Sequence, residues 1–415
     1  MPVSTRSSSD NKPVFSRISG VERKRPLPRY NPKSMRTPRG TLATLACGLL
    51  AVSTLVSTLS AQKKKNKEEI TQVLRLPEEL PGAVTGDTRR LAFHTTPLSS
   101  KGLLSPQVRD ALKALQREAG GETVIKIRAF VAGSADLRRV RELVSEFYTA
   151  HKEPLPAITL VQAGALPLDG AQVVLEAIAV SKRDANPYGL AFISPTVSTA
   201  EDPLGPVPPL TGKSLAGLRQ SLQSVGLAPP DALRVTCFFS SLQNLAESRR
   251  LVETEYPHAA LNFVQMNRAP RQSLSACEAV ARLRAAPASQ LEFVGSSGVN
   301  SSGVDSGGAN SGGGESQVAL VNAPQVVLTG GQDSFGYQEA DARLAFERLK
   351  KSLEQAGATP KNVAYADYYP LSPGLGAQVR KVRGEFFDHP AATMLIFEGL
   401  PSMDAGFAVD VVAVK

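Results

Sequence analysis

Histidine, cysteine and uninterrupted apolar runs are all scarce in this 415-residue chain. With 4 His and 3 Cys, and with no CxxC or Cys/His grouping, a metal site has no ligand set to draw on. No metal and no cofactor is expected. The scattered histidines also supply no pair suited to phosphodiester cleavage. Cys47 lies in an N-terminal apolar segment, which leaves Cys237 and Cys277 beside β-type runs farther on. In an oxidising compartment these two can form a disulfide, and two buried thiols on adjacent strands explain them equally well.

Positive charge is also missing from most of the chain, although the formal total is +9. Residues 1–67 hold 14 Lys or Arg against 2 acids, a net of +12, so everything after Lys67 nets −3. The basic balance therefore belongs to the leader, and the remainder gives no electrostatic reason to expect nucleic acid. Arg36 and Arg39 precede an apolar run from Leu42 to Val56, and small residues follow at Ser60 and Ala61. That is the shape of a secretory signal, with Gln62 as the first mature residue. The expectation is export, to a periplasm or the exterior. The alternative is a membrane anchor, made marginal by Thr44, Ser53, Thr54, Ser57 and Thr58.

What the sequence does hold is a recurring arrangement. An apolar helix ends in Gly; a β-rich run, a second helix, a Pro-led strand and an acid-bearing strand follow. Gly120 leads to Glu176, Gly226 to Glu278 and Gly357 to Asp410, separations of 56, 52 and 53 residues. Units of about 100 residues are domain-sized. The division expected is 1–84 as leader (signal peptide at about 35–61) and linker, then 85–183, a divergent 184–290, a Ser/Gly-rich linker at 291–316, and 317–415. In the third unit Gln325 to Thr329 reads as a strand, Leu344, Phe346, Leu349 and Leu353 as a helical stripe, and Thr393 to Phe397 and Phe407 to Val414 as later strands. In the first, Val173, Leu175, Ala177 and Ala179 point one way and Val174, Glu176, Ile178 and Val180 the other. Both faces are mainly apolar, so the face away from the helices needs cover.

These markers resemble the Rid family, also called YjgF/YER057c/UK114 or endoribonuclease L-PSP-like. The resemblance rests on Pro156-Ala157 and Leu166-Pro167 followed by Glu176-Ala177-Ile178-Ala179-Val180. It recurs in Pro390-Ala391, Leu400-Pro401 and Asp410-Val411-Val412-Ala413-Val414, and more faintly in Pro257 and Glu278-Ala279-Val280-Ala281. Thr329-Gly330-Gly331-Gln332 is similar to the family's turn before its first helix. The resemblance implies an α+β protein of three chorismate-mutase-like domains (β-β-α-β-α-β-β) packed as a single-chain pseudo-trimer. It would be a monomer acting as an intramolecular trimer, with a small metabolite in the inter-domain clefts.

Active relatives hydrolyse enamines or imines, holding the substrate carboxylate with an Arg two residues after the motif Pro. Those places here are Ile158, Ala259 and Ala392. An acid that positions water is expected two residues before the marker acids, where this chain has Val174, Ala276 and Ala408. Apolar groups can neither clamp a carboxylate nor activate water. No catalytic residue is therefore assigned, and the standard deaminase activity is not expected. The leading expectation is an exported, non-catalytic protein that binds a small metabolite or another protein; the alternative is a small-molecule hydrolase using non-standard residues. Gln332, Glu176, Glu278, Asp410 and Arg268 are the candidate ligand contacts. Tyr365, Tyr368 and Tyr369 show no spacing beyond what strand packing requires.

Overall fold

The computed structural model describes residues 77–133, 136–296 and 315–415. The leader, with its signal-peptide and anchor expectations, and most of the Ser/Gly run lie outside those residues. The chain opens with β1 (Ala83–Asp87), β2 (Leu91–Thr95), α1 (Leu104–Ala119), β3 (Thr123–Ala132), α2 (Leu137–His151), β4 (Ala157–Ala163) and β5 (Val173–Val180). It continues through β6 (Leu190–Ala200), α3 (Val207–Ser224), β7 (Ala232–Phe239), α4 (Leu245–Glu255), β8 (Ala260–Gln265), β9 (Ser273–Arg282) and β10 (Leu291–Ser296). The last part holds β11 (Ser316–Val321), β12 (Gln325–Thr329), β13 (Gln332–Phe335), α5 (Glu339–Gln355), β14 (Val363–Pro370), α6 (Pro373–Arg383), β15 (Ala391–Met394) and β16 (Ala405–Val414).

Local chemistry accounts for the helices. The stripe Val108, Ala111, Leu112, Leu115 and Ala119 on α1 is buried. That helix stops at Gly120, whose φ of 57° is the left-handed turn favoured by glycine. The Asp136 carboxylate accepts from Arg138 N–H and caps α2. Ser372 caps α6 by accepting from Leu375 N–H, and Pro373 occupies its first turn. On α5, Phe346, Leu349 and Leu353 are buried as expected, but Leu344 is 50 % exposed and Ala345 takes the inward place.

The expected three separate modules are corrected by the strand pairing. Four strands, β2-β5-β3-β4, form one small sheet. The others form one continuous sheet along β1-β12-β16-β14-β15-β11-β6-β9-β7-β8, with β10 and β13 pairing off that path. Strand β11 pairs antiparallel with β6, continuing the ladder across what was expected to be a domain boundary. Strand β1, which straddles the expected start of the first module at residue 85, pairs with β12 far along the chain. Gly189 sits at this seam with a φ of +95°, and a Cβ there would lie 2.0 Å from the Val321 carbonyl oxygen. Strand edges left open by separate modules are thus hydrogen-bonded into a shared sheet. The tandem-repeat, chorismate-mutase-like and intramolecular-trimer expectations fall with that division. The signal-peptide and periplasmic expectations rest on leader residues outside the described ones.

Two smaller differences have local causes. Residues Leu291–Ser296, expected to begin the linker, form β10 against β11. Strand β15 ends at Met394, and Leu395 and Phe397 turn into an apolar cluster with Phe130, Phe238 and Tyr369 instead of extending the ladder. Cys237 and Cys277 are directly opposed on β7 and β9 and form a disulfide. No helix among the described residues is long and apolar enough to cross a membrane.

Candidate functional site

Alternation along the strands creates the site. On β5, Val173, Leu175, Ala177 and Ala179 pack beneath α1 and α2. The opposite parity puts Val174 in one apolar cluster and Ile178 in another, with Glu176 between them. The same parity places Glu278 between Ala276 and Val280 on β9, and Asp410 between Ala408 and Val412 on β16. On β3, Lys126 and Arg128 share the face that Phe130 presents to the first of these clusters. The inward faces of both sheets therefore meet on charged side chains enclosed by apolar ones.

Arg128 is the hub. Its Nε donates to Glu176 Oε2 at 2.8 Å, and its Nη2 donates to Glu278 Oε1 at 2.6 Å. Its Nη1 lies 3.1 Å from Asp367 Oδ1, an ion-pair distance without hydrogen-bond alignment. The guanidinium also lies 5.2 Å from the Phe130 ring centre and 5.9 Å from that of Phe238. Glu176 accepts further from Thr236 Oγ1 at 2.6 Å and Asn262 Nδ2 at 2.7 Å. Glu278 accepts from Arg234 Nη2 at 3.3 Å, Tyr365 OH at 3.2 Å and Thr393 Oγ1 at 2.6 Å. Lys126 donates to Thr159 Oγ1 at 2.6 Å and lies 3.4 Å from Asp410, which also accepts from Tyr369 OH at 3.3 Å.

Burial and neighbouring charge set the protonation states. Burial pushes the Glu176 carboxyl up, but Arg128, Arg234 and the Thr236 and Asn262 donors prevail and hold it below the ordinary range. Asp367 is pushed well above the ordinary carboxylate range, first by burial and then by Glu278 and Asp410, against the opposing pull of Arg128. Burial lowers the Lys126 ammonium despite Asp410 and Asp367 nearby. Lys126, Arg128 and Arg234 thus face Glu176, Glu278, Asp367 and Asp410, all buried.

The remaining space is small. A cavity of about 30 Å³ is bounded by Lys126, Arg128, Glu176, Arg234, Tyr365 and Asp367 among others. Roughly 10–15 Å³ of such volume holds one water, so this cavity takes two or three at most and not a metabolite. The expected metabolite in inter-domain clefts is corrected accordingly, because the strands run on as one sheet and side chains fill the junction.

The candidate residues divide clearly. Glu176, Glu278 and Asp410 converge on the cluster. Gln332 opens β13 opposite Val409, half-buried and outside the cavity lining. Arg268 lies at the surface and donates to Glu398 Oε1 at 2.7 Å. Ile158 and Ala392 pack into the helix-side cores, and Ala259 lies half-buried against the middle one. Val174, Ala276 and Ala408 meet in one apolar cluster. Reading the sequence missed Lys126, Arg128, Arg234, Asp367, Tyr365 and Tyr369. The available signal was parity: charged residues at i and i+2 inside β3 must share one face.

Residues 90–181 match the family described as Endoribonuclease L-PSP. The match covers all four strands of the small sheet, so one Rid-like region is supported and three copies are not. No curated protein matches this chain. Among solved structures, Rv2704 of the YjgF/YER057c/UK114 family from Mycobacterium tuberculosis is similar at 22% identity. That similarity spans 30% of this chain and 99% of that one, with a TM-score of 0.21. The conserved Rid family protein YyfB from Yersinia pestis, of unknown function, is 23% identical over 24% of this chain and 83% of its own, with a TM-score of 0.21. NMB1025, a YjgF family member from Neisseria meningitidis, is 15% identical over 30% and 94%, also with a TM-score of 0.21. Likeness at this level carries no chemistry across.

Proposed function

We propose that this chain is a non-catalytic binding protein built around a Rid-like region, with its charged junction serving as structure. The observation that carries this reading is the saturation of Arg128. Glu176, Glu278 and Asp367 surround its guanidinium, beside a cavity of about 30 Å³. A substrate carboxylate would have to displace one of these buried partners and leave it uncompensated, at a cost of several kcal/mol. The replaced family positions point the same way, since Ile158, Ala259 and Ala392 offer no clamp. The test is ammonia release from an enamine generated in situ, with the full chain equimolar to substrate. Release at the uncatalysed rate is expected, and turnover abolished by Glu176→Gln would overturn the reading.

One observation favours a second reading, hydrolysis by non-standard residues. Asp367, pushed up by burial, and Lys126, lowered by burial, border a water-sized cavity, and such perturbed groups mark functional sites more often than chance. Under that reading Asp367→Asn would abolish turnover that Arg268→Ala left intact.

A further inference from the structure

One flank of α1 borders a second concavity, of about 420 Å³, far larger than the space at the charged junction and within the range of small-molecule sites of roughly 300–1,000 Å³. Its floor is made by Ala111 and Ala114, whose small side chains open the space, and Leu98 and Leu168 form apolar walls. Lys101, Lys113 and Arg117 stand on its rim, with Asp110 as the one acid. No acid among the described residues pairs with any of these three cations. Lys113 and Arg117 are four residues apart on one helix, a like-charge spacing that is unfavourable until something neutralises it. The groove is +2 on a part of the chain whose net charge is −3.

The groove is held in shape before any ligand arrives. Gln107, buried on α1, donates from Nε2 to the carbonyls of Gly102 at 3.1 Å and Gly170 at 3.0 Å. Its Oε1 accepts from Gln172 N–H at 2.7 Å, so one side chain ties both wall-forming loops to α1. Thr96 anchors the start of the first loop by exchanging hydrogen bonds with Leu175. Gly170, with a φ of +78°, lets the second loop approach Ser100, which a Cβ would meet at 3.4 Å. Ser99 Oγ accepts from Lys101 N–H at 3.2 Å. Preorganised walls of this kind lower the ordering cost of binding.

We infer that this groove binds a small organic phosphate monoester. The doubly ionised phosphate matches the +2 rim and accepts from Lys113, Arg117 and the serine hydroxyls, while a short carbon skeleton lies on Ala111, Ala114, Leu98 and Leu168. Phenyl phosphate is a suitable probe, titrated calorimetrically into the full chain, with succinate and benzoate as carboxylate controls and a short RNA as a polymer control. Saturable binding of phenyl phosphate below about 10 mM is expected. Its affinity should rise between about pH 5 and pH 7 as the second phosphate proton leaves, and should fall with added salt. Lys113→Ala with Arg117→Ala should weaken it about tenfold or more. Both sites are exposed helix positions where alanine is well tolerated, so an unchanged melting temperature confirms that the variant is folded. Leu168→Trp, which fills the groove, should also remove binding. No saturation, equal affinity for succinate, tighter binding of RNA, or indifference to these substitutions would overturn the assignment. None of those outcomes bears on ammonia release, so this site and the non-catalytic junction stand or fall separately.

Discussion

Replacing Arg128 by Met removes the cation that donates hydrogen bonds to both Glu176 and Glu278 while nearly preserving side-chain length. The two carboxylates then remain 2 % and 0 % exposed, with Arg234 as the nearby cation, 3.8 Å from Glu176 and 3.3 Å from Glu278. The folded protein avoids a bare buried charge by taking up a proton. Protonating a carboxyl of ordinary pKa near 4.4 at pH 7 costs about 3.5 kcal/mol, at about 1.36 kcal/mol per unit. That agrees with the roughly 3–5 kcal/mol seen when one partner of a buried pair is removed. At pH 5 the same uptake costs only about 0.8 kcal/mol, so the deficit should shrink about fourfold. For the 339 residues from 77 to 415, an unfolding entropy of about 2.1 cal/mol/K per residue turns 3.5 kcal/mol into a melting shift of about 5 °C. Urea denaturation of wild type and Arg128→Met at both pH values measures this directly. Adding Glu278→Gln to the Met variant should recover most of the loss at pH 7. A deficit below about 1 kcal/mol, or one independent of pH, would refute the reasoning.

Other outcomes follow from the same electrostatics. Asp367 has a folded pKa well above its unfolded value of 3.8, so its contribution to stability is complete below about pH 3.8 and is lost as pH rises. Asp367→Asn should therefore stabilise the protein at pH 7 and become neutral near pH 4 in denaturation curves; destabilisation at pH 7 would contradict a protonated Asp367. Asp333 is pushed up to about 6 by burial, against Arg141 and Arg348, so Asp333→Asn should gain at most about 3 kcal/mol above pH 6 and nothing near pH 4. Glu176 has the opposite sign: its depressed folded pKa supplies stability above the ordinary carboxylate range, lost as pH falls through the folded value, so Glu176→Gln should cost stability near neutral pH and flatten the acid limb of the profile. The Cys237–Cys277 bridge spans 40 residues, and chain entropy puts its removal by Cys237→Ala with Cys277→Ala at roughly 4 kcal/mol, readable by urea denaturation.

The legible part of the fold was the local part. Gly120 as a helix stop, the α1 and α5 stripes and the two faces of β5 all follow from periodicities of 3.6 and 2, which sequence displays directly. Parity also placed Glu176, Glu278 and Asp410 on corresponding faces, and they do converge. The partners of those acids are not marked by any motif, because Lys126 and Arg128 stand in a strand with no distinctive spacing. Arg234, Thr236 and Asp367 were missed for the same reason. Charged residues within an otherwise apolar strand face have to be paired, which would have pointed from the acids to these cations. The pairing of β11 with β6 and of β1 with β12 was not legible. Edge pairing depends on contacts far apart in the chain, and alternation fixes which face a residue takes without fixing which strand lies beside it. That missing information led to three modules where the strands run on as a shared sheet.

The most direct measurement is a crystal structure of the full chain soaked with a 2-oxo acid at high concentration. The account predicts Arg128 still held by Glu176, Glu278 and Asp367, with density in the junction no larger than water. A soaked carboxylate seated on the Arg128 guanidinium, with Glu278 or Asp367 swung aside, would contradict it.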